Sequence, residues 1–204
     1  MILSVVENRE GKNNEKNCPG CALCFIGAAL HSAAWADGRE GSTYVGLNYE
    51  LLSYDEKGTT GEYDMSALAF KAGYFFTNSW AIEAKLGLGV SDGSDMEDIL
   101  GTPVDVSVGL DNYFSLLFVG NYQANEKLSL YGKFGFSRVS MDFEAEALGW
   151  GYSEWSDSGS SLSLYGGLEY LAKPDFGFNV ELGALYARDD ISVGGINFGL
   201  TKYF

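Results

Sequence analysis

The segment Leu68-Ala-Phe-Lys-Ala-Gly-Tyr-Phe-Phe-Thr-Asn-Ser-Trp-Ala-Ile-Glu-Ala-Lys-Leu-Gly-Leu-Gly-Val90 alternates without a break on either side of a short polar turn. Leu68, Phe70, Ala72, Tyr74 and Phe76 point one way, and Ala69, Lys71, Gly73 and Phe75 the other. After Thr77-Asn78-Ser79 the return arm places Trp80, Ile82, Ala84, Leu86, Leu88 and Val90 on one face and Glu83, Lys85, Gly87 and Gly89 on the opposite one. Successive strand residues face opposite sides of a sheet, so each arm has one apolar face and one face dominated by glycine and charge. A soluble sandwich would bury the apolar face against a second sheet, with strands nearer about five or six residues. A transmembrane β-barrel needs arms of about 9 to 11 residues, apolar toward lipid and polar toward a lumen. The hairpin has the second form.

The remaining chain repeats the pattern. Tyr44–Tyr54 reads as a first arm, with Val45, Leu47, Tyr49 and Leu51 opposite Gly46, Asn48 and Glu50. From Val104 to Tyr122, Val104, Val106, Val108, Leu110, Phe114, Leu116 and Phe118 are predicted to face out, and Asp105, Ser107, Gly109, Asp111 and Ser115 in. Further arms follow at 128–136, 162–170, 176–182 and 191–204. Polar stretches at 55–62, 91–103, 142–159 and 188–190 are predicted as loops on one rim, and tight turns at 77–79, 123–127 and 173–175 on the other. The predicted fold is all-β: an eight-stranded, antiparallel, up-and-down transmembrane β-barrel over residues 37–204. Short turns on one rim and long loops on the other are the outer-membrane pattern, and an even strand number brings both ends of the barrel to the short-turn side. Closure also removes the free edges of an open sheet.

Composition agrees. Glycine is abundant at 27 of 204 residues and proline scarce at 3. No run of about 18 apolar residues occurs, which disfavours a helical anchor. The formal net charge of −15 opposes nucleic-acid binding, because phosphate neutralisation requires a Lys/Arg surface. Residues 1–36 carry Arg9, Lys12 and Lys16 against Glu7, Glu10 and Glu15, so the whole imbalance lies downstream.

Residues 1–36 are read as a signal peptide. An apolar run from Cys21 ends in Ala34-Trp35-Ala36, and polar Asp37 follows as the first mature residue. Cys18, Cys21 and Cys24 have the spacing of iron–sulfur and zinc ligands, but a fourth ligand is missing and all three lie in the leader. The mature chain is thus expected to carry neither disulfide nor thiol chemistry.

Gly73-Tyr-Phe-Phe-Thr-Asn-Ser-Trp-Ala-Ile-Glu83, the terminal Tyr203-Phe204 and the eight alternating arms resemble the small OmpA/OmpX-type outer-membrane β-barrel family over residues 41–204. That resemblance implies a bacterial outer-membrane location. It also implies a C-terminal signal for the barrel-assembly machinery, carried here by Ile196, Phe198, Leu200 and Phe204, with Lys202 where an aromatic residue is commoner. Larger members of that family add a periplasmic peptidoglycan-binding domain, and none is expected here.

Candidate site residues follow from sidedness. Glu50, Lys71, Glu83, Lys85, Asp105, Asp111, Lys133, Glu169 and Glu181 are expected to line the lumen as a polar network that fills the barrel. Unpaired charges there would be costly, so they are expected to pair or to hold water. Trp150, Tyr152 and Trp155 are the predicted loop contacts, placed at the membrane interface. The acidic loops are expected to meet the lipid bilayer and lipopolysaccharide through bridging Mg²⁺ or Ca²⁺, together with an unspecified extracellular partner. No catalytic residue, metal site or cofactor is assigned, and a monomer is expected. The functional reading is a non-enzymatic barrel with a structural or surface-recognition role. A narrow porin-like channel is the second reading. A lipid A-modifying enzyme is the third, weakened because the chain's one histidine, His31, falls in the leader.

Overall fold

The computed structural model describes residues 38–56, 63–99, 102–147, 151–188 and 191–204. The predicted leader, most of the 55–62 loop and Trp150 lie outside these residues. The described chain forms strands β1 (Thr43–Glu56), β2 (Tyr63–Phe75), β3 (Trp80–Ser91), β4 (Gly93–Ile99), β5 (Thr102–Gln123), β6 (Leu128–Ala147), β7 (Gly151–Lys173), β8 (Phe176–Arg188) and β9 (Ile191–Tyr203). Every neighbouring pair is antiparallel, in the order β3-β2-β1-β9-β8-β7-β6-β5, and β3 pairs back onto β5 to close the cylinder. β4 continues the line of β3 beyond Asp92 and pairs with the start of β5, so nine segments make eight staves.

The turns follow from local chemistry. Thr77 Oγ1 accepts from the backbone N–H of Trp80 at 3.0 Å, and Asn125 Oδ1 accepts from those of Lys127 and Leu128 at 2.9 Å each, so short polar side chains satisfy backbone donors where the chain reverses. Before β1, Gly38 (φ 105°) and Gly41 (φ 82°) adopt left-handed backbone that favours glycine. Between them Arg39 is turned inward, with Ser42 donating back to the Arg39 carbonyl.

Three predictions required correction. Most of the residues predicted as loops at 91–103 and 142–159 are strand where the structure describes them: β4 pairs with β5, and β6 pairs with β7 from Leu128↔Tyr170 to Ala147↔Gly151. With 20 and 23 residues, β6 and β7 exceed the roughly 9–11 needed to cross a bilayer, so the barrel wall continues past the membrane on the long-loop side. The third correction concerns β5. Leu110 opposes Met141 and Asn112 opposes Ser140, which leaves Asp111 unpaired in a β-bulge. The bulge inverts the alternation upstream of it: Val108 and Leu110 are buried inside, and Asp105 and Asp111 are exposed on the outer face.

Within the membrane-spanning part the sidedness is clear. Phe70, Tyr74, Trp80, Leu86, Phe114, Phe134, Leu164 and Phe178 all face outward, and Asn48, Lys71, Glu83, Lys85, Ser115, Lys133 and Glu181 are buried inside. The interior is layered. A lower apolar layer holds Tyr44, Phe75, Ala81, Val119, Leu171 and Tyr203, and an upper one holds Leu52, Met65, Val108, Leu110, Val139, Met141, Leu185 and Val193. The ionic layer lies between them. Above the bilayer the wall has water on its outer side, so its inner face is the one that buries apolar groups.

Candidate functional site: the ionic lumen

Inward parity on six strands brings the charges together. Glu50 comes from β1, Lys71 from β2, Glu83 and Lys85 from β3, Lys133 from β6, Glu169 from β7 and Glu181 from β8. Glu181 is the hub. Its carboxylate lies 2.7 Å from Lys133 Nζ, 3.5 Å from Lys71 Nζ and 3.8 Å from Lys85 Nζ. Lys133 also meets Glu83 at 2.8 Å, and Lys85 is paired with Glu50. Each of these ion pairs crosses the hollow between strands that are not neighbours.

Tyrosines complete the carboxylates' coordination. Tyr44 donates to Glu83 at 2.7 Å, Tyr113 to Glu50 at 2.7 Å and Tyr131 to Glu181 at 3.0 Å. The ammonium of Lys85 sits 4.8 Å from the centre of the Tyr165 ring. At the short-turn mouth Arg39 donates to Glu169 at 3.2 Å and to Ser129 at 3.1 Å, and Tyr203 donates to the same carboxylate. The Arg39 guanidinium stacks 4.9 Å from the Tyr203 ring and 5.4 Å from Phe75.

Among the described residues the buried cations are Arg39, Lys71, Lys85 and Lys133, and the buried anions Glu50, Glu83, Glu169 and Glu181. The interior is therefore charge-neutral. That balance answers the physical problem of burying ions, since an uncompensated charge in such a place costs several kcal/mol or about that order. A cavity beside Lys71, Glu83, Lys133 and Glu169 measures about 20 Å³, room for about one water.

Asp105 and Asp111, predicted to join this network, do not: the bulge turns both outward, and the Asp111 carboxylate accepts from Asn112 Nδ2 at 2.6 Å. Arg39 and the tyrosines were missed. Tyr44, Tyr113, Tyr131, Tyr165 and Tyr203 share the inward parity of the charges, which was the available signal. Arg39 precedes the first strand and carries no periodicity to read.

Above the membrane, Trp155 is half-exposed and stacks on Phe143, its cross-strand partner, with centroids 5.6 Å apart and planes 7° apart. Phe143 in turn meets Tyr54 at 6.1 Å. Trp155 thus belongs to the inner aromatic face of the extended wall, not to the membrane interface predicted for it, because its parity matches Ser161 and Ser163. Tyr152 lies in β7 opposite Glu146. On the outer face Asp142 has Asp111, Glu154, Asp92 and Glu144 around it; partial desolvation and then these four carboxylates raise its pKa above the ordinary range. At the opposite rim the Lys202 ammonium holds the Asp175 carboxyl below its ordinary range. Among the described residues no group of three His, Cys, Asp or Glu side chains is arranged to hold a metal ion.

Ile196, Phe198 and Leu200 share the outward parity of β9, with Phe198 and Leu200 exposed to lipid, and Phe204 follows directly after the strand. The backbone of Phe204 exchanges hydrogen bonds with Thr43 at the barrel seam.

A closed antiparallel cylinder of eight staves, apolar outside and ionic within, is a transmembrane barrel of the bacterial outer membrane. The chain belongs to the outer membrane protein beta-barrel domain family, whose model matches residues 21–204. Among solved structures it is similar to Ail, the attachment invasion locus protein of Yersinia pestis, at 22% identity and a TM-score of 0.57 over 81% of this chain and 99% of that one. It is also similar to Neisserial surface protein A, at 13% identity and a TM-score of 0.53 over 81% and 100%. OprG from Pseudomonas aeruginosa gives 14% identity and a TM-score of 0.51 over 82% and 98%. No curated protein sequence matches the chain.

Proposed function

We propose that this outer-membrane barrel is a non-enzymatic, monomeric anchor that displays an acidic, aromatic rim for structural or recognition purposes, without cofactor or catalytic group. The single observation that carries the reading is the filled lumen: a charge-neutral ionic layer packed between two apolar layers. Such an interior serves rigidity better than transport. Planar-bilayer recording of the purified protein tests it; the expected result is no steady unitary current, and reproducible steps would favour the narrow-channel reading instead.

The rim's partners follow from charge. Asp105, Asp111, Asp142, Glu144 and Glu154 lie on the outer face above the membrane. Lipopolysaccharide phosphates would be repelled there unless Mg²⁺ or Ca²⁺ bridged the two diffusely. The Ail structure in complex with sucrose octasulfate, a heparin analogue, offers no direct precedent, since a polyanion would be repelled by these carboxylates. A cationic or metal-bridged extracellular partner fits better. Residues 1–36 serve as the export signal in this reading, and Ile196, Phe198, Leu200 and Phe204 present the C-terminal face to the barrel-assembly machinery.

A further inference from the structure

On the lipid-facing wall a trough of about 570 Å³ crosses the barrel seam. Its floor is a row of short side chains, Val45, Ala72 and Ala84, joined as direct cross-strand partners on β1, β2 and β3. The next row toward the outside carries Phe70, Leu86 and Phe114, which stand up as one bank. On the β9 side the row runs to Lys202, the partner of Val45, and on to Phe176 of β8, which also lines the trough.

The row also climbs. Lys202 is one residue from the end of β9, Val45 two from the start of β1, Ala72 three from the end of β2 and Ala84 four from the start of β3. The trough thus leaves the short-turn rim at Lys202 and rises into the hydrocarbon layer. Three inter-strand steps at about 4.8 Å make its length about 14 Å, enough for most of an acyl chain.

Charge complements this shape. Lys202 and Lys173 both act on the one carboxylate of Asp175, two cationic side chains to one anionic one at this turn of a protein of net charge −15. The Lys202 side chain, paired with Asp175, is still 42% exposed, so its ammonium can meet a second anion at headgroup depth.

We propose that the trough is a binding site for one anionic phospholipid of the periplasmic leaflet, with an acyl chain along Val45, Ala72 and Ala84 and its phosphate on Lys202. The barrel seam between the first and last strands is then covered by a retained lipid.

Native mass spectrometry of the folded protein, released from bilayers of equal phosphatidylglycerol and phosphatidylcholine, tests this. One retained lipid per chain is expected, with phosphatidylglycerol favoured at least about five-fold, equivalent to ~1 kcal/mol. Ala72→Phe/Ala84→Phe, which fills the floor, should abolish retention. Lys202→Gln alters only a part-exposed head and should keep the lipid while bringing the two headgroups to parity. The proposal is overturned by unchanged retention in a folded Ala72→Phe/Ala84→Phe variant, by a headgroup preference that survives Lys202→Gln, or by a two-copy mass without lipid, which would make the trough a dimer contact. Should the double variant not fold, the Lys202→Gln comparison alone decides.

Discussion

The guanidinium of Arg39 lies 3.2 Å from the carboxylate of Glu169, a residue 130 positions later in the chain, and this pair stops the short-turn mouth of the barrel. Neither group belongs to a neighbouring strand of the other. The contact exists because the Gly38–Gly41 turn folds the segment before β1 back under the cylinder, where Gly41 N–H donates to the Phe75 carbonyl at 2.8 Å. Arg39→Ala would leave Glu169 with Tyr203 but without its cation. The expected loss is about 3–5 kcal/mol in equilibrium urea unfolding from detergent micelles, and Arg39→Lys should recover part of it.

Glu181 faces three lysines, so Glu181→Gln removes the anion that holds them together. The same unfolding measurement should show a loss of about 3–5 kcal/mol. Asp105→Asn, on the outer face beyond the bulge, should stay within about 0.5 kcal/mol of the parent. Equal losses for the two substitutions would refute the inward and outward assignment.

A Cβ at Gly195 would lie 1.9 Å from the Leu51 carbonyl oxygen, a backbone atom held in the β1–β9 ladder, whereas one at Gly166 meets nothing within 4 Å. Gly195→Ala is expected to cost about 1–3 kcal/mol through overpacking. Gly166→Ala, outward on β7, should be neutral or mildly stabilising. Heat-modifiable gel mobility as a function of temperature ranks the pair.

The raised pKa of Asp142 sets a sign for the rim. A carboxyl whose folded pKa exceeds its unfolded value binds its proton more tightly when folded, so stability rises as pH falls through the folded pKa and is lower above it. Hydrogen exchange across Met141–Ala147 should therefore slow, after correction for intrinsic rates, between neutral pH and the acidic side of the ordinary carboxylate range. In Asp142→Asn that pH dependence should shrink. An unchanged dependence would place the cause elsewhere on the rim.

The sequence made the membrane-spanning wall readable wherever alternation ran unbroken. In β2 and β3 the pattern from Leu68 to Leu88 matches the register residue for residue, with Lys71 opposite Lys85 and Gly73 opposite Glu83, before a bulge leaves Val90 unpaired in the β2–β3 ladder. β5 defeated the same reading because one unpaired residue, Asp111, flips every position before it. The sign was Asn112, a polar residue that unbroken alternation would set toward lipid between Leu110 and Phe114. The upper parts of β6 and β7 were read as loop for a different reason: outside the bilayer no lipid enforces an apolar outer face, so Asp142, Glu144 and Glu154 can occupy a strand. The pairing partners of the lumenal charges were beyond reach. Parity fixes which way Lys133 points, but only the shear of the closed cylinder brings it to Glu83 and Glu181.

Because the strand-borne ion pairs of the lumen join non-neighbouring staves, no single hairpin holds both members of any of them. A half-built wall would confront hydrocarbon with naked ammonium and carboxylate groups. Glu50–Lys85, Glu83–Lys133 and Lys133–Glu181 join staves two apart, but Glu181 gains Lys71 and Lys85 only across the β1–β9 seam, so joining the first and last strands completes the charge balance of the interior.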